Sequence, residues 1–309
     1  MKRICAALSL GILVACGGTS DAPESPVTTE AKQVTASNVE EVQSSYPHAT
    51  ALSAAVSGDW RSKDESARDA WRNPEETLAF LGVEPNHTVI EIWPGRGWYT
   101  NILAPYLNSG GGKFIAAVWD VEAMTEDRRE RYDAAINRFR TYFEANPEVY
   151  GTLGYTALSD TSGPLGEPNS VDVVLTFRNV HNWMANGYEA KVFEDAFAVL
   201  KPGGVLGVVE HRLPSSDVQD PLAKSGYVHE DYVKSLAANS GFLFDAASDI
   251  NANPADDADH PFGVWTLQPA SRSEDRDGNT PEGFDPAEFA AIGESDRMTL
   301  RFVKPIPEE

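Results

Sequence analysis

Short apolar runs recur along the chain at the spacing of buried β-strands. Glycine, proline, asparagine or aspartate lies near most of their ends, which is typical of strands that end in turns. The last run alternates apolar and polar residues instead, which indicates a strand with one buried face. The seven predicted strands are "HTVIEIW" (87–93), "KFIAAVW" (113–119), "LGYTAL" (153–158), "SVDVVLTF" (170–177), "VLGVVEH" (205–211), "FLFDAASDI" (242–250) and "RMTLRFVK" (297–304).

Segments with helical spacing of apolar residues separate most of these strands. Asn73, followed by Pro74 and two glutamates, is typical of a helix start, with a cap, a first-turn proline and acids at the positive end. Regular alternation of strands and helices predicts an α/β fold with a mostly parallel sheet and helices on both faces. The predicted helices lie at 47–82, 98–107, 122–145, 187–200 and 229–242.

The N-terminus has the pattern of a secretory signal. Lys2 and Arg3 precede the apolar run "ICAALSLGILVAC", which is too short for a membrane-spanning helix. Its end, "LVAC", resembles a bacterial lipobox, in which Cys16 is lipidated; the alternative is an ordinary signal peptide with a chance cysteine. Gly17 after that cysteine favours, by the same resemblance, anchoring in the outer membrane facing the periplasm.

Three regions follow from this pattern. Residues 1–15 are predicted to be a signal peptide, and 16–45, rich in Gly, Ser, Thr, Pro and Glu, a flexible tether. Residues 46–309 are long enough for one folded domain, with a polar insertion at about 251–295.

Composition restricts the chemistry further. Cys5 leaves with the signal and Cys16 carries lipid, so the mature chain offers neither a disulfide nor a cysteine nucleophile. The chain has 47 acidic and 25 basic residues, a formal net charge of −22, which argues against nucleic acid or an anionic membrane surface as a partner. We interpret this acidity as a contribution to solubility.

The segment "EIWPGRGWYT" (91–100) predicts a ligand-binding loop between a strand and a helix. In open parallel sheets, ligands lie beyond the carboxyl ends of the strands, near the switch point. Gly95 and Gly97 allow close approach of the backbone, and the following helix offers unpaired amides. The loop has no third glycine at the spacing of a dinucleotide-binding motif.

In order along the chain, four segments resemble the class I S-adenosylmethionine-dependent methyltransferases over residues 70–303. They are the Glu91–Gly97 loop, "KFIAAVWD", "SVDVVLTFRNVHNW" and "VLKPGGVLGVVEH". "EIWPGRGWYT", "FRNVHNW" and "DRMTLRFVKP" are similar to a bacterial subgroup of predicted methyltransferases. The resemblance implies a Rossmann-like seven-stranded sheet with an antiparallel last strand, and S-adenosylmethionine as cofactor. It also implies cofactor contacts at Glu91, Trp93, Gly95, Gly97, Trp98, Asp120, Asp160, Phe177 and Asn179.

Two positions depart from the family pattern. Trp93 replaces the first glycine of the loop, where we expect it to narrow the space for the methionine part of the cofactor. Asp120, implied as the ribose ligand, lies about two positions late, so Glu122 is a competitor. Asp160 follows the third strand, where the family makes its adenine contact.

The segments after the fourth and fifth strands supply the candidate catalytic residues. His181 and His211 can each take a proton from an acceptor, since imidazole titrates near neutral pH; the alternative for each is a structural hydrogen bond. Arg178 can hold an acidic acceptor, or it can form a salt bridge to Glu210. Trp98 and Trp183 can wall the pocket or belong to the core.

Other chemistries fit the sequence less well. His181, Glu210, His211, His229 and His260 could gather near one end of the sheet, but none of the usual metal-site spacings occurs. The nucleophile motif of α/β-hydrolases is also missing from the sequence. Two functions remain: a methyltransferase acting on a small molecule, and a catalytically inactive, lipid-anchored ligand-binding module. The acceptor and the oligomeric state are left open.

Overall fold

The computed structural model describes residues 32–34 and 46–308. The predicted signal peptide, Cys16 and most of the predicted tether lie outside the described residues. Within them, no helix combines the length and the apolar character needed to span a membrane.

All seven predicted strands are present, and a short eighth strand lies at one edge of the sheet. The strands are β1 Lys32–Val34, β2 Thr88–Ile92, β3 Lys113–Trp119, β4 Gly154–Leu158, β5 Val171–Phe177, β6 Leu200–His211, β7 Leu243–Ser248 and β8 Arg297–Val303. β1 was not predicted; it lies in the segment assigned to the tether and pairs parallel with β7.

The strands form one sheet in the order β1-β7-β8-β6-β5-β2-β3-β4. β8 runs antiparallel to both of its neighbours, and the other pairs are parallel. The predicted Rossmann-like, mostly parallel sheet with an antiparallel last strand is therefore confirmed. The chain leaves β2 towards β3 and β4 and then returns to β5 on the other side of β2, so the switch point lies between β2 and β5.

Helices cover both faces of the sheet. They are α1 Ala49–Val56, α2 Lys63–Ser66, α3 Asp69–Arg72, α4 Pro74–Phe80, α5 Thr100–Gly110, α6 Glu126–Glu144, α7 Pro147–Tyr150, α8 Val180–Met184, α9 Glu189–Val199, α10 Glu230–Asn239 and α11 Pro286–Ile292. Val89 and Ile90, adjacent on β2, belong to different hydrophobic clusters, because successive strand residues point to opposite faces. α1 and α4–α7 contribute to the first cluster, and α8–α10 to the second.

The predicted helical region at 47–82 consists of four helices, α1–α4, and the predicted helix start at Asn73 is confirmed by α4. Ser62 begins α2 with a reciprocal capping box to Glu65. Asn73 has a left-handed φ of 39° and ends α3, and Pro74 then starts α4 at its first position. These breaks turn the chain so that Arg68 and Arg72 lie close to the start of β8.

Candidate functional site

The crevice at the switch point is held together by two hydrogen bonds of one side chain. Asn179 follows β5, and its Nδ2 donates to the carbonyl oxygen of Ile92 at 2.9 Å and to Oγ1 of Thr176 at 3.2 Å. The Trp93 amide donates to the Ala117 carbonyl at 2.8 Å. The carboxyl ends of β2, β3 and β5 are thus tied together where ligands bind in sheets of this type.

A cavity of about 430 Å³ opens beside this crevice. This volume is in the range of small-ligand sites, about 300–1,000 Å³. Its walls include four aromatic side chains, and Trp93 lies within 5.8 Å of Trp119 and 6.3 Å of Tyr188, measured between ring centroids. Buried Nε1 of Trp93 has no hydrogen-bond partner in the described chain. An aromatic wall with an unmatched donor is suited to a flat, polar-edged ligand. The cavity is lined by Trp93, Trp119, Asp120, Ala123, Met124, Thr125, Arg128, Tyr132, Leu158, Ser159, Asp160, Asn179, Asn182, Asn186 and Tyr188.

Two acidic side chains reach this cavity from neighbouring strands. Asp120 follows β3, and its Oδ2 accepts a hydrogen bond from Oγ of Ser159 at 3.1 Å, while Oδ1 accepts from the Glu122 amide at 3.2 Å. Asp160 follows β4 and is exposed. The Glu122 side chain is 80% exposed, bridges to Arg129 at 3.6 Å and does not line the cavity. Asp120 is therefore the better placed of the two competitors for a ligand hydroxyl.

Trp93 occupies an unusual backbone position. Its φ is 48°, in the left-handed region that glycine adopts most easily. Non-glycine residues held there cost about 1–3 kcal/mol and often cluster at functional sites. The indole lies on the cavity wall against Trp183 and leaves the space beside Asp120 open.

Glu91, Gly95 and Gly97 lie outside this cavity. Glu91 is buried, and its Oε2 accepts a hydrogen bond from Oγ1 of Thr100 at 2.7 Å; burial raises its pKa to about 8. Gly97 packs against α6, where an added Cβ would lie 2.5 Å from the Phe143 ring. Gly95 borders a separate cavity of about 560 Å³. These residues shape the turn and the core, and cofactor contacts from them remain a prediction.

Trp98 and Phe177 are core residues in this structure. Trp98 donates from Nε1 to the carbonyl oxygen of Glu65 at 3.0 Å, and the Arg72 guanidinium lies 4.5 Å from the centroid of its ring. Phe177 stacks on Tyr99 with ring centroids 3.6 Å apart. Neither side chain lines the 430 Å³ cavity.

A second group of polar residues follows β5 and ends β6. The fully buried Glu210 carboxylate accepts hydrogen bonds from the Val180 amide at 2.6 Å and the His211 amide at 2.8 Å. Its Oε1 also lies 3.0 Å from Nδ1 of His181. Because an ionised carboxylate only accepts hydrogen bonds, Nδ1 of His181 donates to Glu210, and Nε2 is the ring nitrogen left for another partner.

His181 borders a smaller cavity of about 270 Å³. Trp265, from the polar insertion, contacts the imidazole edge-on with ring centroids 5.9 Å apart. Asn182 lines both this cavity and the 430 Å³ cavity. The 270 Å³ cavity beside His181 and the 430 Å³ cavity therefore adjoin at Asn182.

His211 lies at the end of β6, and Arg178 lies directly after β5. The His211 ring is buried and its Nδ1 bonds Oγ of Ser295 at 2.6 Å. Burial, then the nearby His181 and three arginines, lowers its pKa well below the usual value, so His211 is neutral. Within residues 46–308, Arg178 makes no salt bridge to Glu210, which was the alternative predicted for it.

The fold brings three residues of metal-ligating types together despite their sequence spacing. One atom from each of His181, Glu210 and His211 lies within 4.8 Å of the others. The Glu210 carboxylate accepts a hydrogen bond from each of three donors, so the group forms a hydrogen-bonded network in this structure. His229 and His260 bond elsewhere.

Sequence reasoning missed most of the aromatic wall. Trp119 ends β3 directly before Asp120, so its position in the strand was the available signal. Tyr132 lies on α6, within the helix predicted at 122–145, and Tyr188 precedes α9 without any motif. Contacts between such separate elements leave no local pattern in the sequence.

Comparisons with known proteins show a likeness in fold. No family model and no curated protein matches the sequence. An S-adenosylmethionine-dependent methyltransferase from Methanosarcina mazei is 14% identical, covering 73% of this chain and 95% of that chain, with a TM-score of 0.42. The trans-methyltransferase CalH in complex with SAH is 14% identical, covering 78% and 58%, with a TM-score of 0.45.

The similar structures also include the [4+2]-cyclase SpnF, 16% identical over 90% of this chain and 100% of that chain, with a TM-score of 0.44. A likeness at this level does not identify an activity. The function of this chain has to be inferred from its own site.

Proposed function

We propose that this protein is an S-adenosylmethionine-dependent methyltransferase that acts on a small-molecule acceptor. The observation that carries the proposal is the 430 Å³ cavity at the switch point, with its aromatic wall, its unpaired Trp93 Nε1 and Asp120 at the end of β3. Asp120 would hold the ribose hydroxyls, and the aromatic rings and Asp160 would receive the adenine. When bound, the donor supplies an electrophilic methyl group on a sulfonium.

The chain itself contributes position and a proton acceptor. Methyl transfer needs an in-line approach in a site that excludes water, and in some cases a base for the acceptor's proton. Glu210 orients His181 with Nε2 free, next to the smaller cavity, where the acceptor would lie. His181 would take the proton that the acceptor loses when the bond between the acceptor and the methyl carbon forms and the bond between that carbon and the donor sulfur breaks.

Ligand-induced stabilisation tests the donor site. We expect S-adenosylmethionine or its demethylated product, at about 100 times the dissociation constant, to stabilise the native state by about 2.7 kcal/mol. This corresponds to a rise in melting temperature of about 5 °C or more for a domain of this size. Asp120→Ala should abolish the rise, because it removes the carboxylate that faces the cavity. Glu122→Ala is the matched control and should retain it.

Two outcomes would contradict the proposal. The first is an unchanged melting temperature at millimolar concentrations of both ligands. The second is an equal loss of the rise in Asp120→Ala and Glu122→Ala, since only one of these carboxylates lines the cavity.

The inactive binding module differs from the enzyme in a single measurable step. The test uses a donor with a tritiated methyl group and an extract of small molecules. A module that only binds would be stabilised by this donor, but the label would stay on the donor. The ordered His181–Glu210 pair beside the cavity favours the enzyme. A His181→Gln variant that transfers label as fast as the parent would remove His181 from the mechanism.

We also propose that the protein is anchored by a lipid on Cys16, in the outer membrane facing the periplasm. The lipobox-like "LVAC" and the following Gly17 support this location. We expect the full-length protein in a bacterial host to fractionate with membranes, and Cys16→Ser to become soluble. Retention of the variant in the membrane fraction would exclude a lipid anchor at that cysteine.

A further inference from the structure

Three arginine side chains contact one buried carboxylate at the rim of the sheet, and a fourth arginine lies on a neighbouring strand end. Nε of Arg68 lies 2.7 Å from Glu294, Nε of Arg72 lies 3.1 Å from it, and Nη1 of Arg297 lies 3.2 Å from it. Arg178 is the fourth member, because its amide donates to the Val209 carbonyl at 2.7 Å, and β6 carries Val209 and His211 alongside Arg297 on β8. We call Arg68, Arg72, Arg178 and Arg297 the arginine cluster. With Glu294 it carries three unbalanced positive charges.

This excess charge lies in a poorly hydrated place. Glu294, Arg72 and Arg297 are each at most 3% exposed, and Arg68 is 26% exposed. Burial, followed by the charge of Arg178, lowers the pKa of Arg72 to about 9. Buried charges in proteins are normally paired, so a surplus of this size indicates a missing anion.

The cluster also has hydrogen-bond donors without acceptors. The buried Nη2 atoms of Arg68 and Arg72 have no partner in the described chain. Nor does the Arg178 guanidinium make a hydrogen bond or an ion pair to any residue of 32–34 or 46–308. Arg178 is half-buried. Its backbone is held at a φ of 63°, another strained position at the end of a strand.

The cluster lies on the acceptor side of the proposed active site. Arg297 pairs with His211 across β6 and β8, and the His211 ring lies 5.4 Å from the His181 ring. None of the four arginines lines the 430 Å³ cavity assigned to the donor. An anionic group held by the cluster would therefore sit near the proposed base and away from the adenine pocket.

We propose that the arginine cluster is a binding site for a small oxyanion, a carboxylate or a phosphate, carried by the methyl acceptor. The planar forks of arginine pair with either group through two parallel hydrogen bonds. Assignment of the anion to the acceptor rests on the proposed methyltransferase function, whereas the anion site itself does not. The carboxylate of the methyl donor is the other group that could bind to the arginine cluster, and the experiment below distinguishes it from an anionic group of the acceptor.

Binding of simple anions to the full chain, purified in detergent, tests the site. We expect inorganic phosphate or acetate to raise the melting temperature more than chloride at equal ionic strength. Arg178→Gln should raise the apparent dissociation constant of the anion at least about tenfold, because it removes the donor group that is free of protein partners. Arg276→Gln, an exposed arginine of the insertion, is the matched control and should behave like the parent.

The melting temperature of Arg178→Gln without added anion gives a second test. Removing one of several buried like charges relieves repulsion, so Arg178→Gln should melt at the same temperature as the parent or about 2–4 °C higher. Should that variant fail to fold, Arg68→Gln tests the same site from its more exposed side and should weaken anion binding as well.

Several results would overturn the proposal. No anion-specific stabilisation of the parent, or an unchanged dissociation constant in Arg178→Gln and Arg68→Gln, excludes the anion site. An equal fold-loss of affinity for S-adenosylhomocysteine, measured on the same variant, would assign the cluster to the donor carboxylate. If the anions bind but S-adenosylhomocysteine does not, the anion site stands and the methyltransferase function and the acceptor assignment fail.

Discussion

Replacing Glu210 with alanine is expected to lower the free energy of unfolding by about 3–5 kcal/mol. The carboxylate is fully buried and is the common partner of the Val180 amide, the His211 amide and Nδ1 of His181. Truncation leaves all three donors without an acceptor, and each unpaired buried group costs about 1–3 kcal/mol. Urea-induced unfolding at pH 7 measures the loss.

Two variants bracket this result. Glu122→Ala removes an exposed carboxylate and should change the unfolding free energy by no more than about 0.5 kcal/mol. Glu210→Gln should fall between the two, because its amide oxygen still accepts while its NH2 group faces a donor. A loss below about 1 kcal/mol in Glu210→Ala would mean that the network is not formed in solution.

The pH dependence of stability is expected to change when Glu91 becomes glutamine. Glu91 is buried, and burial raises its pKa from 4.5 to about 8, against a smaller opposing effect of the Thr100 hydrogen bond. Between these values the folded protein keeps a proton that the unfolded chain releases. The unfolded state therefore binds fewer protons, and the contribution of Glu91 to stability falls as pH rises through this window.

The size of the effect follows from the shift in pKa. Each unit corresponds to about 1.4 kcal/mol, so the parent should lose on the order of 3 kcal/mol relative to Glu91→Gln between pH 5 and pH 8. Below pH 4.5 the difference between the two proteins should stay constant. Denaturant unfolding across this pH range, with exposed Glu130→Gln as control, measures the difference.

Parallel pH profiles of the parent and Glu91→Gln would contradict this prediction. They would show that the Glu91 carboxyl is ionised in the folded protein.

Local sequence patterns were sufficient for most of the sheet. Apolar runs predicted β2 to β7, because burial on both faces of a strand requires almost continuous apolar residues, and alternation of apolar and polar residues predicted β8. In the helical segment at 47–82, the predicted helix start at Asn73 is confirmed, whereas the breaks that separate α1, α2 and α3 were not predicted. β1 escaped prediction because three polar and apolar residues at an edge carry no periodicity.

The sequence by itself determined which residues stand at the carboxyl ends of the strands. Trp93, Asp120, Asp160 and Asn179 each follow a strand in a parallel sheet, so they had to meet at one edge, and they line one cavity. The periodicity of apolar residues shows which face of an element is buried and where the element ends. This is enough to predict that these residues lie at the same edge of the sheet.

Only the tertiary structure decided which polar groups lose their water and which partners they find. In the folded protein Glu91 and Gly97 are buried in the core, and Arg68 forms an ion pair with Glu294, which lies 226 positions away in the chain. Distances between side chains on separate elements, and the desolvation that follows, arise from packing in three dimensions. They leave no mark in local spacing, and the arginine cluster could therefore be found only in the folded protein.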